Sequence, residues 1–95
     1  MAERSRERHF ILSRDDQDDA YDTAFRLGAV LVRARITERY GMQVRRIAGQ
    51  RDIPAGWGVY LIDREADRPT PAGLSLVTTV KHTSALVAEL VALAA

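Results

Sequence analysis

The sequence predicts a two-layer α+β sandwich, in which an antiparallel sheet carries helices on one face in the order β-α-β-β-β-α. Three observations lead to this prediction: a long segment of helical apolar period, several short strand-like segments after it, and an apolar helix at the end. The length of 95 residues is enough for one core. We therefore expect a charged N-terminal arm over residues 1–7 and a single domain over residues 8–95.

The composition argues against several classes of protein. The chain contains no cysteine, which excludes a disulfide scaffold and a thiolate metal site. The formal net charge of +1 creates no overall field that would attract nucleic acid or an anionic membrane. The N-terminus has no apolar signal segment, and the apolar run at the other end is too short to span a bilayer. From these features we expect a cytoplasmic protein.

A short strand over residues 8–12 is expected to lead into the first helix. Ser13 occupies the place of an N-cap, and Asp16 follows three residues later, as in a variant of the capping box. Aspartates are dense around this point, and the helix dipole favours negative charge in a first turn. Their spacing lacks the glycine and the glutamate that a calcium-binding loop needs, so we expect no metal site here.

The first helix is predicted over residues 14–40. Its apolar residues recur three or four positions apart, which is typical of a helix with one buried face. The broad stripe expected to face the core consists of Phe25, Ala29, Val32, Ile36 and Tyr40, with a flanking row of Tyr21, Ala24, Gly28 and Leu31. Gly41 is then expected to end the helix as a C′ glycine.

Three strands are predicted between the two helices, over residues 42–49, 58–63 and 74–80. The second of them is a nearly continuous apolar run, as in a strand that is covered on both sides or paired centrally. Hairpin connections between the three strands would form an antiparallel sheet. The C-terminal helix follows from Thr83 or Ser84, where a hydroxyl can cap its first turn.

The C-terminal helix carries the leading functional prediction, which is a small non-catalytic module that binds a protein partner or has a regulatory role. Every residue from Ala85 to Ala95 except Glu89 is apolar, although a helix on a small sheet needs only one apolar stripe. Apolar residues of this helix that remain exposed would form a surface for a protein partner or for a homodimer. Trp57 is either an anchor of such an interface or a residue that closes the edge of the core. The candidate partner-binding residues are Trp57, Val87, Leu90 and Val91.

The arginines suggest an alternative function, which is the binding of nucleic acid. All basic residues except Lys81 are arginine, and arginine forms planar bidentate contacts with phosphate. A GC-rich coding bias would produce the same excess without any function, and a solvated surface would carry the same charges. The residues of this alternative arginine-rich face are Arg33, Arg35, Arg39, Arg45, Arg46, Lys81 and His82.

The order of the elements resembles that of two families of RNA-associated proteins. A helix, three antiparallel strands and a second helix opened by the basic Lys81 are similar to the order of double-stranded RNA-binding domains. With the strand at residues 8–12 included, the order resembles that of ribosome-hibernation factors. Both resemblances imply binding to double-stranded RNA or to the ribosome, and neither assigns a role to a particular residue.

A small enzyme is the third interpretation of the sequence. His9 and His82 are the only histidines, and either would serve as a general acid or base if a cleft held it against an acid. The sequence has no phosphate-binding glycine loop and no nucleophile elbow. We therefore expect no catalytic residues, no metal and no cofactor.

Overall fold

A computed structural model describes residues 6–52, 54–67, 74–75, 79–80 and 83–95. They form an α+β fold with a three-stranded antiparallel sheet and two helices, which confirms the predicted fold class. The elements are β1 (Glu7–Arg14), α1 (Gln17–Arg33), β2 (Tyr40–Ile47), β3 (Gly56–Asp63), β4 (Leu74–Ser75), β5 (Thr79–Val80) and α2 (Thr83–Ala94).

The sheet has β3 at its centre, with β1 and β2 antiparallel to it on either side. Val59 of β3 lies opposite Leu12 on one side and Val44 on the other, so three apolar side chains meet in one row across the sheet. Val59 and Leu61 are fully buried. This central position explains why β3 reads as a continuous apolar run.

Both helices pack on the same face of this sheet. α1 lies against β2 and β3, while α2 lies against β1 and beside α1. Leu27 and Leu31 of α1 meet Leu86 and Leu90 of α2 in one core cluster. Burial of each of these leucine side chains contributes about 1.5–3 kcal/mol to folding. The two-layer arrangement therefore rests mainly on this leucine cluster.

The first helix is shorter than predicted because the chain turns at Arg35, which has a φ of 59°. The amide of Ile36 donates to the carbonyl of Leu31 at 3.2 Å, and the amide of Arg35 donates to that of Val32 at 3.0 Å. These are the two hydrogen bonds of a Schellman motif, with arginine at the position that glycine usually occupies. Because the residue at this position is not glycine, the sequence gives no local signal that the helix ends here.

The predicted helix boundaries at Ser13 and Gly41 are therefore wrong. Ser13 lies in β1 and Gly41 lies in β2, where both are paired with β3. α1 begins at Gln17 with Asp16 as its N-cap, and the Asp16 side chain makes no capping hydrogen bond. Both residues pair with β3, and this pairing outweighs the local capping signals.

The single strand predicted over residues 74–80 is also wrong. Leu74 pairs with Val80 and Ser75 pairs with Thr79, so β4 and β5 form a two-stranded antiparallel sheet of their own. The third strand of the main sheet is instead β1. Alternation over so few residues fits a short antiparallel pair as well as one longer strand. The pattern therefore could not distinguish the two, and the prediction of one strand failed.

Candidate functional site

The most exposed apolar side chains of the described residues lie on α1. Phe25 is 80% exposed and Val32 is 63% exposed, and Tyr21 and Ala29 are exposed on the same side of the helix. We call these four residues the α1 stripe; their spacing of four, four and three keeps them on one face. An apolar row of this kind on a surface is typical of an interaction site.

The α1 stripe overturns the predicted orientation of the helix, in which Phe25, Ala29 and Val32 faced the core. Ala24 and Leu31 of the predicted flanking row are buried, and the buried side also carries Ala20, Thr23 and Leu27. The small Ala20 and Ala24 allow α1 to lie close to the sheet, while Phe25 and Val32 remain outside. Ile36 and Tyr40 are buried as predicted, but they reach the core after the end of the helix.

A groove of about 740 Å³ runs along the α1 stripe, between α1 and β2. Phe25, Val32 and Met42 contribute apolar surface to it, and its lining is mostly apolar. Among the strands that the structure describes, β2 pairs only with β3, so the groove follows an edge of the sheet. Grooves of this kind take up apolar side chains from a partner.

Two arginines border this groove, Arg33 from the end of α1 and Arg64 from the residue after β3. Nη1 of Arg64 donates to the carbonyl of Thr37 at 3.0 Å, which holds the guanidinium across β2. A Cβ at Gly41 would lie 2.6 Å from Nη2 of Arg64, so the glycine makes room for this arginine. The groove therefore has an apolar middle and a basic rim.

The charges along α1 are segregated. Asp18, Asp19 and Asp22 occupy its first two turns, whereas Arg33 ends it and Arg35 follows. The Asp22 carboxylate lies 3.6 Å from Nε of Arg26 on the same helix, and both side chains are largely exposed. The exposed side of α1 thus runs from acidic through apolar to basic.

The four predicted partner-binding residues do not form one exposed surface. Leu90 is fully buried in the core, so it is not available to a partner. Val87 and Trp57 are partly buried and pack against the same core, with Trp57 at its edge. Val91 is 42% exposed and is the most accessible of the four.

The predicted arginine-rich face is dispersed. Arg33 and Arg35 lie at the end of α1, whereas Arg45 and Arg46 alternate along β2 and lie on opposite faces of the sheet. Lys81 and His82 lie outside the residues that the structure describes. The structure therefore does not bring these arginines together as one phosphate-binding surface.

Arg39 of the predicted set is only 7% exposed, and its guanidinium is committed to Asp63, which is 1% exposed. Nε of Arg39 donates to Oδ1 of Asp63 at 2.9 Å, and Nη2 donates to Oδ2 at 3.1 Å. The hydroxyl of Thr83 also donates to Oδ2 at 3.1 Å, and it lies 3.0 Å from the hydroxyl of Tyr40. This polar cluster joins the start of β2, the end of β3 and the start of α2.

The ion pair changes the titration of both partners. Burial raises the pKa of the Asp63 carboxyl, but hydrogen bonds from Arg39, the Glu65 amide and Thr83 lower it, and the net pKa lies below its usual value. The hydrogen bond to Asp63 raises the pKa of Arg39 above its usual value. Both groups are therefore charged at neutral pH, and we assign the pair a role in holding the fold.

The predicted acid–base histidine His9 is half-buried in β1, with its side chain 27% exposed. Its Nε2 is 3.3 Å from Oε2 of Glu7, whose side chain is 59% exposed. In the part of the chain that the structure describes, no group of three His, Cys, Asp or Glu residues is placed to hold a metal ion. Neither described helix combines the length and the apolar character needed to cross a membrane.

A pair of aromatic residues that the sequence did not predict lies on the face of the sheet opposite the helices. The rings of Phe10 and Tyr60 meet edge to face there, with centroids 5.6 Å apart. The pairing of β1 with β3 places them side by side, although they are far apart in the chain. The sequence alone carries no signal for this pair, because it depends on the register between two distant strands.

No family model, no curated protein and no solved structure matches this chain. The resemblance to double-stranded RNA-binding domains depended on a third hairpin strand after β3, and β1 takes that place in the sheet. The functional inference therefore rests on the surfaces of the molecule itself.

Proposed function

We propose that this chain is a small non-catalytic module that acts through a protein interface, and that the α1 stripe is the surface through which it binds a second copy of itself. The observation that carries the proposal is the exposure of Phe25 and Val32 beside an apolar groove. Leaving such side chains in water forfeits about 1.5–3 kcal/mol for each of them, and an interface recovers this.

The shape of the stripe suits pairing with itself. The bulky Phe25 is followed by the small Gly28 and Ala29 about one turn later, so two antiparallel copies of α1 can place each phenyl ring against the other's small residues. A two-fold axis between Phe25 and Ala29 makes both contacts at once. Such an isologous arrangement is the commonest form of dimer.

The charges support the same arrangement. Antiparallel packing brings the acidic first turns of one α1 next to the basic end of the other, where Arg33 and Arg64 border the groove. Asp22 then lies near Arg33 of the second copy. Because the axis repeats every contact, each dimer gains this attraction twice, which favours the antiparallel register over the parallel one.

The surface predicted on α2 offers less support for an interface. Val91 and Leu93 are each 42% exposed, and the other leucines of α2 are used in the core. The dispersed arginines give the double-stranded RNA alternative no common surface. We therefore place the interface on α1 rather than on α2.

Sedimentation equilibrium over a range of concentrations tests the proposal. The wild-type chain should show a reversible monomer–dimer equilibrium, and Phe25→Glu should weaken it by roughly tenfold or more because the dimer would bury two unpaired carboxylates. Val91→Glu is the matched control on α2 and should leave the equilibrium unchanged. A monomeric wild type at all concentrations, or equal effects of the two substitutions, would reject the proposal.

A further inference from the structure

We propose that the face of the sheet opposite the helices binds single-stranded nucleic acid by stacking bases on Phe10 and Tyr60. This face lies on β1, β2 and β3 and shares no residue with the α1 stripe. The inference is therefore independent of the dimer, and either can fail without the other.

Phe10 and Tyr60 together form an aromatic surface on which a base could stack. Phe10 is 52% exposed, and its ring meets that of Tyr60 at an interplanar angle of 68°. The Tyr60 ring lies over Gly58: a Cβ there would be 2.6 Å from Cε1 of Tyr60 and 2.8 Å from its hydroxyl oxygen. Glycine at this position thus allows the half-buried Tyr60 ring to lie over the strand.

A guanidinium extends this aromatic surface across the sheet. Cζ of Arg8 lies 5.8 Å from the centroid of the Tyr60 ring, and its Nε donates to Oε1 of Gln43 at 3.0 Å. Side chains from all three strands are therefore joined in one layer. Both aromatic rings and guanidinium planes are surfaces on which unpaired bases stack.

The charge of this face suits a phosphate backbone. Alternation from the pairing registers identifies the outward positions of the three strands, and none of them is acidic. Arg8 and Arg45 are the charged residues among them. The outward residues are Arg8, Phe10, Ser13, Gly41, Gln43, Arg45, Ile47, Gly56, Gly58, Tyr60 and Ile62.

A pocket beside the rings offers a place for an unstacked base. It has a volume of about 490 Å³ and is lined by Phe10, Tyr60, Ser13, Ile47 and Pro54. Its lining is mainly apolar, with the Ser13 and Tyr60 hydroxyls as polar groups. This combination accommodates the flat face and the polar edge of a base.

The chemistry favours a single strand over a duplex. Bases in a duplex are stacked on each other and cannot reach an aromatic platform, whereas bases in a single strand can. Duplex binding depends chiefly on many phosphate contacts, and two arginines on this face supply few of them. The occupant that fits is a short unpaired stretch of RNA or DNA.

Fluorescence anisotropy with labelled oligouridylate and oligothymidylate of about 12 nucleotides tests the inference, with a duplex of the same length for comparison. The single strands should bind more tightly than the duplex at low salt. Phe10→Ala should weaken the binding by roughly 5- to 100-fold, as expected for the loss of one stacked base. Arg45→Gln should reduce the slope of log affinity against log salt by about one.

Two further variants show whether a loss of affinity comes from this aromatic surface. Leu93→Ala removes an apolar side chain that is 42% exposed on α2, away from this face of the sheet, and should leave the affinity unchanged. Gly58→Ala should displace the Tyr60 ring and weaken binding while Phe10 is intact. The inference is overturned if the wild type binds no oligonucleotide at low salt, if the duplex binds as tightly, or if Phe10→Ala binds like the wild type.

Discussion

Arg39 and Asp63 form a bidentate ion pair in the interior, with both Asp63 oxygens accepting from the one guanidinium at 2.9 and 3.1 Å. Arg39 is the residue immediately before β2, and Asp63 is the last residue of β3. Thr83, at the start of α2, donates a hydrogen bond to the same Asp63 carboxylate. It thus ties α2 to the central sheet. The position of α2 depends on this cluster as well as on the leucine core.

Removing one partner of this pair should strongly destabilise the fold. Arg39→Met or Asp63→Leu leaves the other charge buried without its partner, which costs about 3–5 kcal/mol. Urea unfolding followed by circular dichroism measures the loss. The exposed pair of Asp22 and Arg26 is the control, because Asp22→Asn should change the free energy of unfolding by no more than about 0.5 kcal/mol.

The same pair predicts a pH dependence of stability. The pKa of Asp63 in the folded chain lies below the ordinary value of 3.8 that the unfolded chain would have. The unfolded state therefore takes up a proton first as the pH falls, so the contribution of Asp63 is complete above about pH 5 and is lost progressively below it. The difference in unfolding free energy between wild type and Asp63→Asn should shrink between about pH 5 and about pH 2. A constant difference across this range would contradict the assignment.

Arg35 predicts a stabilising substitution. Its φ of 59° lies in the left-handed region, where a side chain is strained and glycine is not. Arg35→Gly should therefore raise the free energy of unfolding by up to about 1 kcal/mol, even though glycine also makes the unfolded chain more flexible. Arg33→Gly, two residues earlier in the helix itself, should instead lower it by about 1 kcal/mol. Equal effects of the two substitutions would show that Arg35 is not the C′ residue of the motif.

The fold class and the central strand were predictable because they depend on local patterns. The apolar run of β3 indicated a central strand, and the helical period indicated both helices. The face of α1 that turns inward was not predictable, because apolar residues lie on both of its sides. Packing against the sheet selected the alanines and Leu27, and this choice left Phe25 in solvent.

The candidate sites were harder to predict because they depend on pairing between distant residues. In the sequence, Arg39 looks like one more surface arginine. Only the pairing of β2 with β3 brings it to Asp63, 24 positions later. Phe10 and Tyr60 likewise become neighbours only through the β1–β3 register. Leu90 was expected to be exposed because α2 is apolar all round, and periodicity cannot tell which of its sides meets the core.

A charge exchange on α1 tests the register of the proposed dimer. Asp22→Arg alone or Arg33→Asp alone places like charges together in an antiparallel pair, and each should weaken dimerisation by roughly 2- to 30-fold at low salt. The double variant restores opposite charges and should recover most of the affinity. Sedimentation equilibrium at two salt concentrations measures these differences. A double variant as weak as either single one would exclude the antiparallel register.

The most direct measurement uses a single introduced cysteine, since the chain contains none of its own. Ala29 lies next to the proposed two-fold axis, so Ala29→Cys should form a disulfide-linked dimer rapidly under mild oxidation at low protein concentration. Ala92→Cys on the exposed side of α2 is the control and should cross-link only slowly. Fast cross-linking of Ala29→Cys alone is the result that the α1 interface predicts. Equal rates for the two variants would contradict it.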